Sequence, residues 1–281
     1  MLQWLKKRVP LRYKIALLDL YRTLSGNRLL VDATQVAKDE RSRKMESALT
    51  LEAVRSAAID LGFTYFLDYD KQAPTKRREF LSAIQFFELT LRGRVVLDIG
   101  PGTADSLDFA RELGAADTLF VEEEPVFVRF AELKGHRGAM RNYTFSPYFP
   151  LEWMGTIDFV YSKGSINCEW VNQQQAKRAN HDVSGYFNFD DWITALLGLL
   201  KTAEGEVVLV PAMPRQPERI VDASYDLDTY YWCADLTRFR ESFFCRTLVR
   251  RGFQVVEDVP GFTQEKAFPL AFFYSKRHVS D

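Results

Sequence analysis

The sequence predicts an α/β protein: a mixed sheet of about seven strands with helices on both faces, preceded by a helical N-terminal region. Three observations predict it. Val95, Val96, Leu97 and Ile99 form a short apolar strand that Gly100, Pro101 and Gly102 break before a helix begins. Strand-like and helix-like segments then alternate to about residue 210, the pattern of parallel strands joined by crossover helices. Last come two strand-like segments, Phe253–Val259 and Ala267–Lys276. Pro260 and Gly261 lie in the short connector between them, which lets them pair as an antiparallel hairpin.

Residues 1–92 carry helical signals and no glycine-turn signal, so the boundary between the N-terminal region and the α/β domain is placed at 92/93. Met1–Leu24 mixes Leu2, Trp4, Leu5, Leu11, Tyr13, Leu17, Leu18 and Tyr21 with basic residues. Such a helix either lies on an anionic membrane surface or packs on the domain with its basic face in water. Residues 26–50 are polar and read as a loop followed by an exposed helix. Phe80, Ile84, Phe87 and Leu91 make a helical stripe that ends at Gly93.

The next helix carries Ala104, Leu107, Ala110 and Leu113 on one face and stops at Gly114. A second strand, Thr118–Val121, runs into Glu122, Glu123, Glu124 and Pro125, and Val126–Leu133 continues as a helix. A third strand is expected within 139–146, a fourth over Thr156–Ser162 and a fifth over Glu206–Val210. Asp190 or Asp191 is expected to cap a helix with Ile193, Leu196, Leu197 and Leu200 on one face. Thr237–Arg251 reads as the last helix, stopped by Gly252.

Composition narrows the function. The chain has 281 residues, with 37 Lys and Arg against 38 Asp and Glu, a net charge of -1. Nucleic-acid binding draws its affinity from neutralised phosphates, so this balance argues against a nucleic-acid partner and for a small or neutral substrate. Cys168, Cys233 and Cys245 are odd in number and fit no zinc spacing, which suits a reduced, cytoplasmic chain. Lys6, Lys7, Arg8, Arg12 and Lys14 interrupt the N-terminus before a signal-peptide core can form. No apolar run reaches the roughly 18 residues of a membrane span.

The segment Asp98-Ile99-Gly100-Pro101-Gly102 is the most informative. A strand must hand over to a helix in a tight turn, and glycine permits both a positive φ and the close approach of a ligand. About 20 residues on, at the end of the next strand, an acid commonly binds a ribose diol. Glu122 holds that position, with Glu123 beside it.

These residues resemble the first two motifs of the class I, Rossmann-like, S-adenosylmethionine-dependent methyltransferases. The resemblance covers about residues 94–276 and implies S-adenosylmethionine as the cofactor. It implies that Gly100, Pro101, Gly102 and Thr103 border the methionine part, that Asp98 orients its amino group, and that Glu122 binds the ribose. Ser162, Lys163 and Gly164, ending the fourth strand, would lie near the sulfonium and the acceptor. One departure is Ala104, where the family has a third glycine.

The rival cofactor is NAD(P), whose G-x-G-x-x-G fingerprint needs glycine at the place of Asp105. A carboxylate there would repel a pyrophosphate. The plain alternatives are a domain that uses Gly100 and Gly102 only to turn, and a non-catalytic module that keeps the fold for interaction.

For the transfer itself, His181 is the candidate general base, next to Asp182 in the loop after the fourth strand; a surface histidine is the equal alternative. His136 sits in a Lys/Gly/Arg-rich turn and is expected in water. Asn167 and Glu169 could hydrogen-bond a hydroxylated acceptor or cap a helix. Tyr230 and Trp232, beside carboxylates, suit a sugar or aromatic acceptor, and Arg215 an anionic group. Asp190 and Asp191 suit a helix start better than a metal, so no metal is expected. The expected reaction is O-methylation of a small molecule or saccharide, a lipid-linked glycan being one option if the N-terminus contacts a membrane.

Overall fold

The computed structural model describes residues 28–141, 148–165, 189–201, 205–210, 243–257, 259–261 and 271–276. The elements in chain order begin with four helices: α1 Arg28–Glu46, α2 Leu51–Asp60, α3 Thr64–Lys71 and α4 Ala73–Phe86. The sheet domain follows with β1 Val95–Ile99, α5 Asp105–Glu112, β2 Asp117–Glu122, α6 Pro125–Leu133, β3 Arg137–Met140 and β4 Phe159–Lys163. It closes with α7 Phe189–Leu199, β5 Glu206–Val210, α8 Phe243–Arg250, β6 Gln254–Glu257 and β7 Ala271–Lys276.

The fold is the α/β class the sequence predicts. The seven strands lie in the order β3-β2-β1-β4-β5-β7-β6. The first five are parallel, and β7 runs antiparallel between β5 and β6. The order in which strands are added reverses at the β1/β4 boundary, the switch point at which ligands of open α/β sheets bind. A dinucleotide-binding sheet has its sixth strand parallel in the order 3-2-1-4-5-6. The inserted antiparallel β7 departs from that plan.

Period-two alternation sorts the strand residues between two cores. Leu97, Ile99, Val160, Val207 and Leu209 face Trp192, Ile193 and Leu196 of α7. Val96, Phe120, Phe159, Tyr161 and Val208 face Phe80, Ala83 and Ile84 of α4 and Leu107 and Ala110 of α5. Each fully buried side chain of this size stabilises by roughly 1.5–3 kcal/mol. A third core joins the N-terminal helices to α6: Met45, Val54, Ala57, Ala58 and Phe66 pack with Val126, Phe127 and Phe130.

Several boundaries differ from expectation. β3 starts at Arg137, two residues before the expected range. It is an edge strand with mostly exposed side chains, so no apolar alternation marks it. β4 starts at Phe159 because Asp158 turns aside: its carboxylate accepts from the Val95 amide at 2.7 Å and from Lys201 at 2.9 Å. Asp190 and Asp191 lie inside the first turn of α7, where acids favour the helix dipole, and neither precedes it as a cap. The expected exposed helix after residue 26 is α1, and Met45 on it is buried. Residues 237–242 of the expected last helix and 267–270 of the expected last strand lie outside the described residues.

Candidate functional site at the carboxyl end of β1 and β2

β1 delivers Asp98 to the face of the sheet shared with Val96, toward α4 and α5. The side chain is 3 % exposed. Ser106, in the first turn of α5, donates its hydroxyl to Asp98 Oδ2. Asp98 Oδ1 is buried and has no hydrogen-bond partner among the described residues. Burial pushes this carboxyl up to about 7, against the Ser106 hydrogen bond and the charge of Lys76, which lower it. A buried carboxylate oxygen without a donor costs free energy on the scale of 1–3 kcal/mol or more, roughly. A cationic donor would remove that cost.

The turn itself is left-handed at three positions: Gly100 at φ 70°, Gly102 at φ 57° and Ala104 at φ 59°. Gly102 is expected to make room for a ligand. In the structure a Cβ there would lie 2.8 Å from Cδ1 of Tyr69, so the missing side chain makes room for a ring of α3. Ala104 shows that its position is one for glycine on backbone grounds as well as for helix–sheet contact. An L-residue in this conformation is strained by roughly 1–2 kcal/mol. Its methyl is fully buried in the α4/α5 core, which returns about 0.8 kcal/mol. Ala104→Gly is therefore expected to shift stability by less than about 1 kcal/mol in a thermal melt, whereas Ala104→Val, branched at a positive φ, costs several times more.

Beneath the turn runs a polar network. Thr103 is fully buried; its hydroxyl donates to Asp105 Oδ2 at 2.6 Å and accepts from Lys76 Nζ at 2.9 Å. Lys134 Nζ donates to the Thr103 carbonyl at 2.6 Å and lies 3.2 Å from Asp105 and 2.8 Å from Asp108. His136 closes the chain. It is 3 % exposed, with Nδ1 2.8 Å from the Thr118 hydroxyl and Nε2 3.0 Å from Asp108 Oδ1. The expectation of a solvated His136 is thus corrected: β2 and α5 supply partners for both ring nitrogens.

At the end of β2, Glu122 is 7 % exposed. Its Oε1 accepts from the amides of Glu123 at 2.8 Å and Glu124 at 3.0 Å, and no described residue donates to Oε2. Burial pushes this carboxyl up to about 7, with those two amides opposing. Glu123 and Glu124 are held by the N-terminal region. Lys38 pairs with Glu123 at 2.8 Å, and Arg41 grips Glu124 through Nε at 2.6 Å and Nη2 at 2.8 Å.

At the end of β4 the Ser162 hydroxyl donates to the Ile99 carbonyl at 2.9 Å, tying β4 to the start of the glycine turn. Lys163 reaches across to Glu79 of α4, which is 4 % exposed. The Gly164 amide donates to Val210 at 2.9 Å. The structure therefore gathers Asp98, Gly100, Pro101, Gly102, Thr103, Ser162, Lys163 and Gly164 at the switch point, with Glu122 one strand over. His181, Asn167, Glu169, Arg215, Tyr230 and Trp232 lie outside the described residues, as do Cys168 and Cys233.

Sequence reasoning missed Tyr69, Lys76 and Glu79, all from the N-terminal helices. One signal was present: Lys76 falls on the same helical stripe as Phe80, Ala83 and Phe87, where an apolar residue is expected. Among the described residues no group of three His, Cys, Asp or Glu has the geometry to hold a metal, and no helix is long and apolar enough to cross a membrane.

No protein-family model matches the chain, and no curated protein matches it in sequence. Among solved structures, the plantazolicin methyltransferase BpumL in complex with S-adenosylhomocysteine is 14 % identical, covering 87 % of this chain and 98 % of its own, with a TM-score of 0.49. Magnesium protoporphyrin IX methyltransferase from Synechocystis PCC 6803 with bound S-adenosylmethionine is 13 % identical over 73 % of this chain and 80 % of its own, at 0.44. An S-adenosylmethionine-dependent methyltransferase from Mesorhizobium loti is 15 % identical over 69 % and 96 %, at 0.45. At these scores and identities the likenesses do not bear on the chemistry of this chain, which rests on its own residues.

Proposed function

We propose that the chain is an S-adenosylmethionine-dependent methyltransferase whose cofactor domain spans residues 93–281 and whose helical N-terminal region spans 1–92. The observation that carries the reading is Asp98 Oδ1, buried and without a partner among the described residues, beside a left-handed glycine turn and one strand from the buried Glu122. A ligand with an ammonium at one end and a ribose at the other fits that pair. Asp98 would take the ammonium, the Gly100–Gly102 backbone would flank the amino-acid part, and Glu122 would accept from the ribose hydroxyls through Oε2. The antiparallel β7 favours this reading over a dinucleotide.

When bound, the cofactor supplies a methyl group on a sulfonium, open to in-line displacement by an acceptor. The chain's task is to align that acceptor, exclude water and remove a proton. The acceptor we favour is a hydroxyl of a small molecule or saccharide. His181 is our candidate base, and Asn167, Glu169, Arg215, Tyr230 and Trp232 are our candidates for the acceptor pocket. The basic amphipathic Met1–Leu24 supports a working place at the inner face of a membrane.

Calorimetric titration with S-adenosylhomocysteine and with NADH tests the core of this reading. We expect binding of the former alone, and a loss of roughly 10- to 100-fold on Asp98→Ala or Glu122→Ala, the scale of one charge-assisted contact. Tight NADH binding without S-adenosylhomocysteine binding overturns it.

A further inference from the structure

Among the described residues Lys76 has one ion-pair partner, Asp105, and shares it with Lys134. It sits on α4, and its side chain is 17 % exposed. Its Nζ donates to the Thr103 hydroxyl at 2.9 Å and to the Tyr69 carbonyl at 3.2 Å, and lies 3.9 Å from the centre of the Tyr69 ring. An ammonium has three donors, so two are used. Among the described residues the nearest carboxylate oxygen is Asp105 Oδ2 at 3.6 Å, an ion pair longer than a hydrogen bond. Asp105 is already engaged by the Thr103 hydroxyl and by Lys134. Burial lowers Lys76 to about 8, with Lys163 and Lys134 adding to the effect against Asp105. A largely buried ammonium whose carboxylate partner is shared favours an added anion.

The complementary want lies on the other side of the same turn, at Asp98 Oδ1. Lys76 and Asp98 are close enough for the lysine charge to lower the Asp98 carboxyl. A carboxylate oxygen lacking a donor and an ammonium with a spare one, both at the Gly100–Gly102 turn, match the two charges of an α-amino acid. Neither is satisfied by the other directly.

We propose that Lys76 binds the α-carboxylate of the cofactor's amino-acid moiety, forming with Asp98 a socket for a zwitterion. This rests on the proposed function for the identity of the occupant. It adds a residue from the N-terminal region, outside the segment that resembles the methyltransferase motifs. Tyr69 serves the same socket by covering Gly102 and holding Lys76 through its carbonyl and ring face.

Three ligands separate the parts: S-adenosylhomocysteine, its decarboxylated analogue, which keeps the amine, and 5′-methylthioadenosine, which lacks both charges. Affinities are measured by calorimetry on the full chain. The wild type is expected to bind S-adenosylhomocysteine about 10- to 100-fold more tightly than the decarboxylated analogue. Lys76→Met is expected to abolish that preference and to leave the affinities for the analogue and for 5′-methylthioadenosine each within about twofold of the wild type's, while Lys76→Arg keeps most of the preference. Equal affinity of the wild type for the first two ligands overturns the proposal without any variant. So does a Lys76→Met protein that still discriminates, or one that weakens all three ligands alike. If the wild type binds none of the three, the methyltransferase reading itself fails, which is a different result.

Discussion

Acidifying from about pH 8 to about pH 5.5 is expected to stabilise the ligand-free protein and, over the same interval, to loosen its grip on S-adenosylhomocysteine. Both follow from Asp98 and Glu122, whose carboxyls stand at about 7 in the fold against ordinary values of 3.8 and 4.5. A folded value above the unfolded one means that the native state binds more protons. Stability from these groups is full below the unfolded values and is lost as pH rises through about 7. Each contributes a slope of about 1.4 kcal/mol per pH unit, so two of them give several kcal/mol between pH 5.5 and 7.

Ligand affinity runs the other way. An ammonium needs ionised Asp98, so binding below about 7 must expel a proton, and affinity falls up to about tenfold per pH unit. Above about 8 Lys76 loses its proton in turn, and a ligand carboxylate loses its partner. Affinity should therefore peak between about 7 and 8. Chemical denaturation and calorimetry across the pH range check the two slopes. Asp98→Asn should flatten the acid limb of affinity and remove about half of the stability slope. An affinity that is level or rises on acidification would contradict the assignment of Asp98.

The second large effect concerns stability alone. Gly138→Ala is expected to cost about 1–3 kcal/mol, the usual range for overpacking, although it adds one methyl to an edge strand. Gly138 of β3 sits opposite Phe120 of β2 in the parallel register. The Phe120 ring lies across the glycine, so that a Cβ would collide with its Cε2 and Cζ. The ring is fully buried among residues of α4 and α5, so it cannot swing aside freely. In strands an aromatic partner covers the gap that glycine leaves, and here the Phe120 ring does so. Thermal melts of Gly138→Ala, Phe120→Leu and the double variant test it. The double variant should be more stable than the sum of the single losses by about 1 kcal/mol or more. A Gly138→Ala protein that melts with the wild type would refute the packing argument.

The parts of this molecule that sequence made legible are those set by local rules. The β1 strand, its glycine turn, the α5 face and the acid ending β2 all lie within 30 residues and follow period and turn chemistry. What stayed hidden depends on residues distant in the chain. His136 reads as solvated until Thr118 and Asp108 come alongside it. Asp105 reads as a charge that would repel a pyrophosphate. In the fold it is 5 % exposed, bonded to Thr103 and within reach of Lys134, so the repulsion inferred from its sequence position is largely offset. The case against a dinucleotide rests instead on the antiparallel β7. Tyr69 and Lys76 stayed hidden because residues 1–92 carry no motif that points to the turn.

The two cation–glutamate pairs from α1 have a practical bearing on how this protein is cut. A fragment begun at Val95 would leave Val126, Phe127 and Phe130 bare to water. It would also strand Glu123 and Glu124 as uncompensated charges next to Glu122. Every added negative charge there discourages Glu122 from ionising, since its neighbours already push it that way. The helices ahead of the sheet thus offset the charges that raise Glu122, and on the proposed function truncation would register first as a weaker hold on the cofactor's ribose.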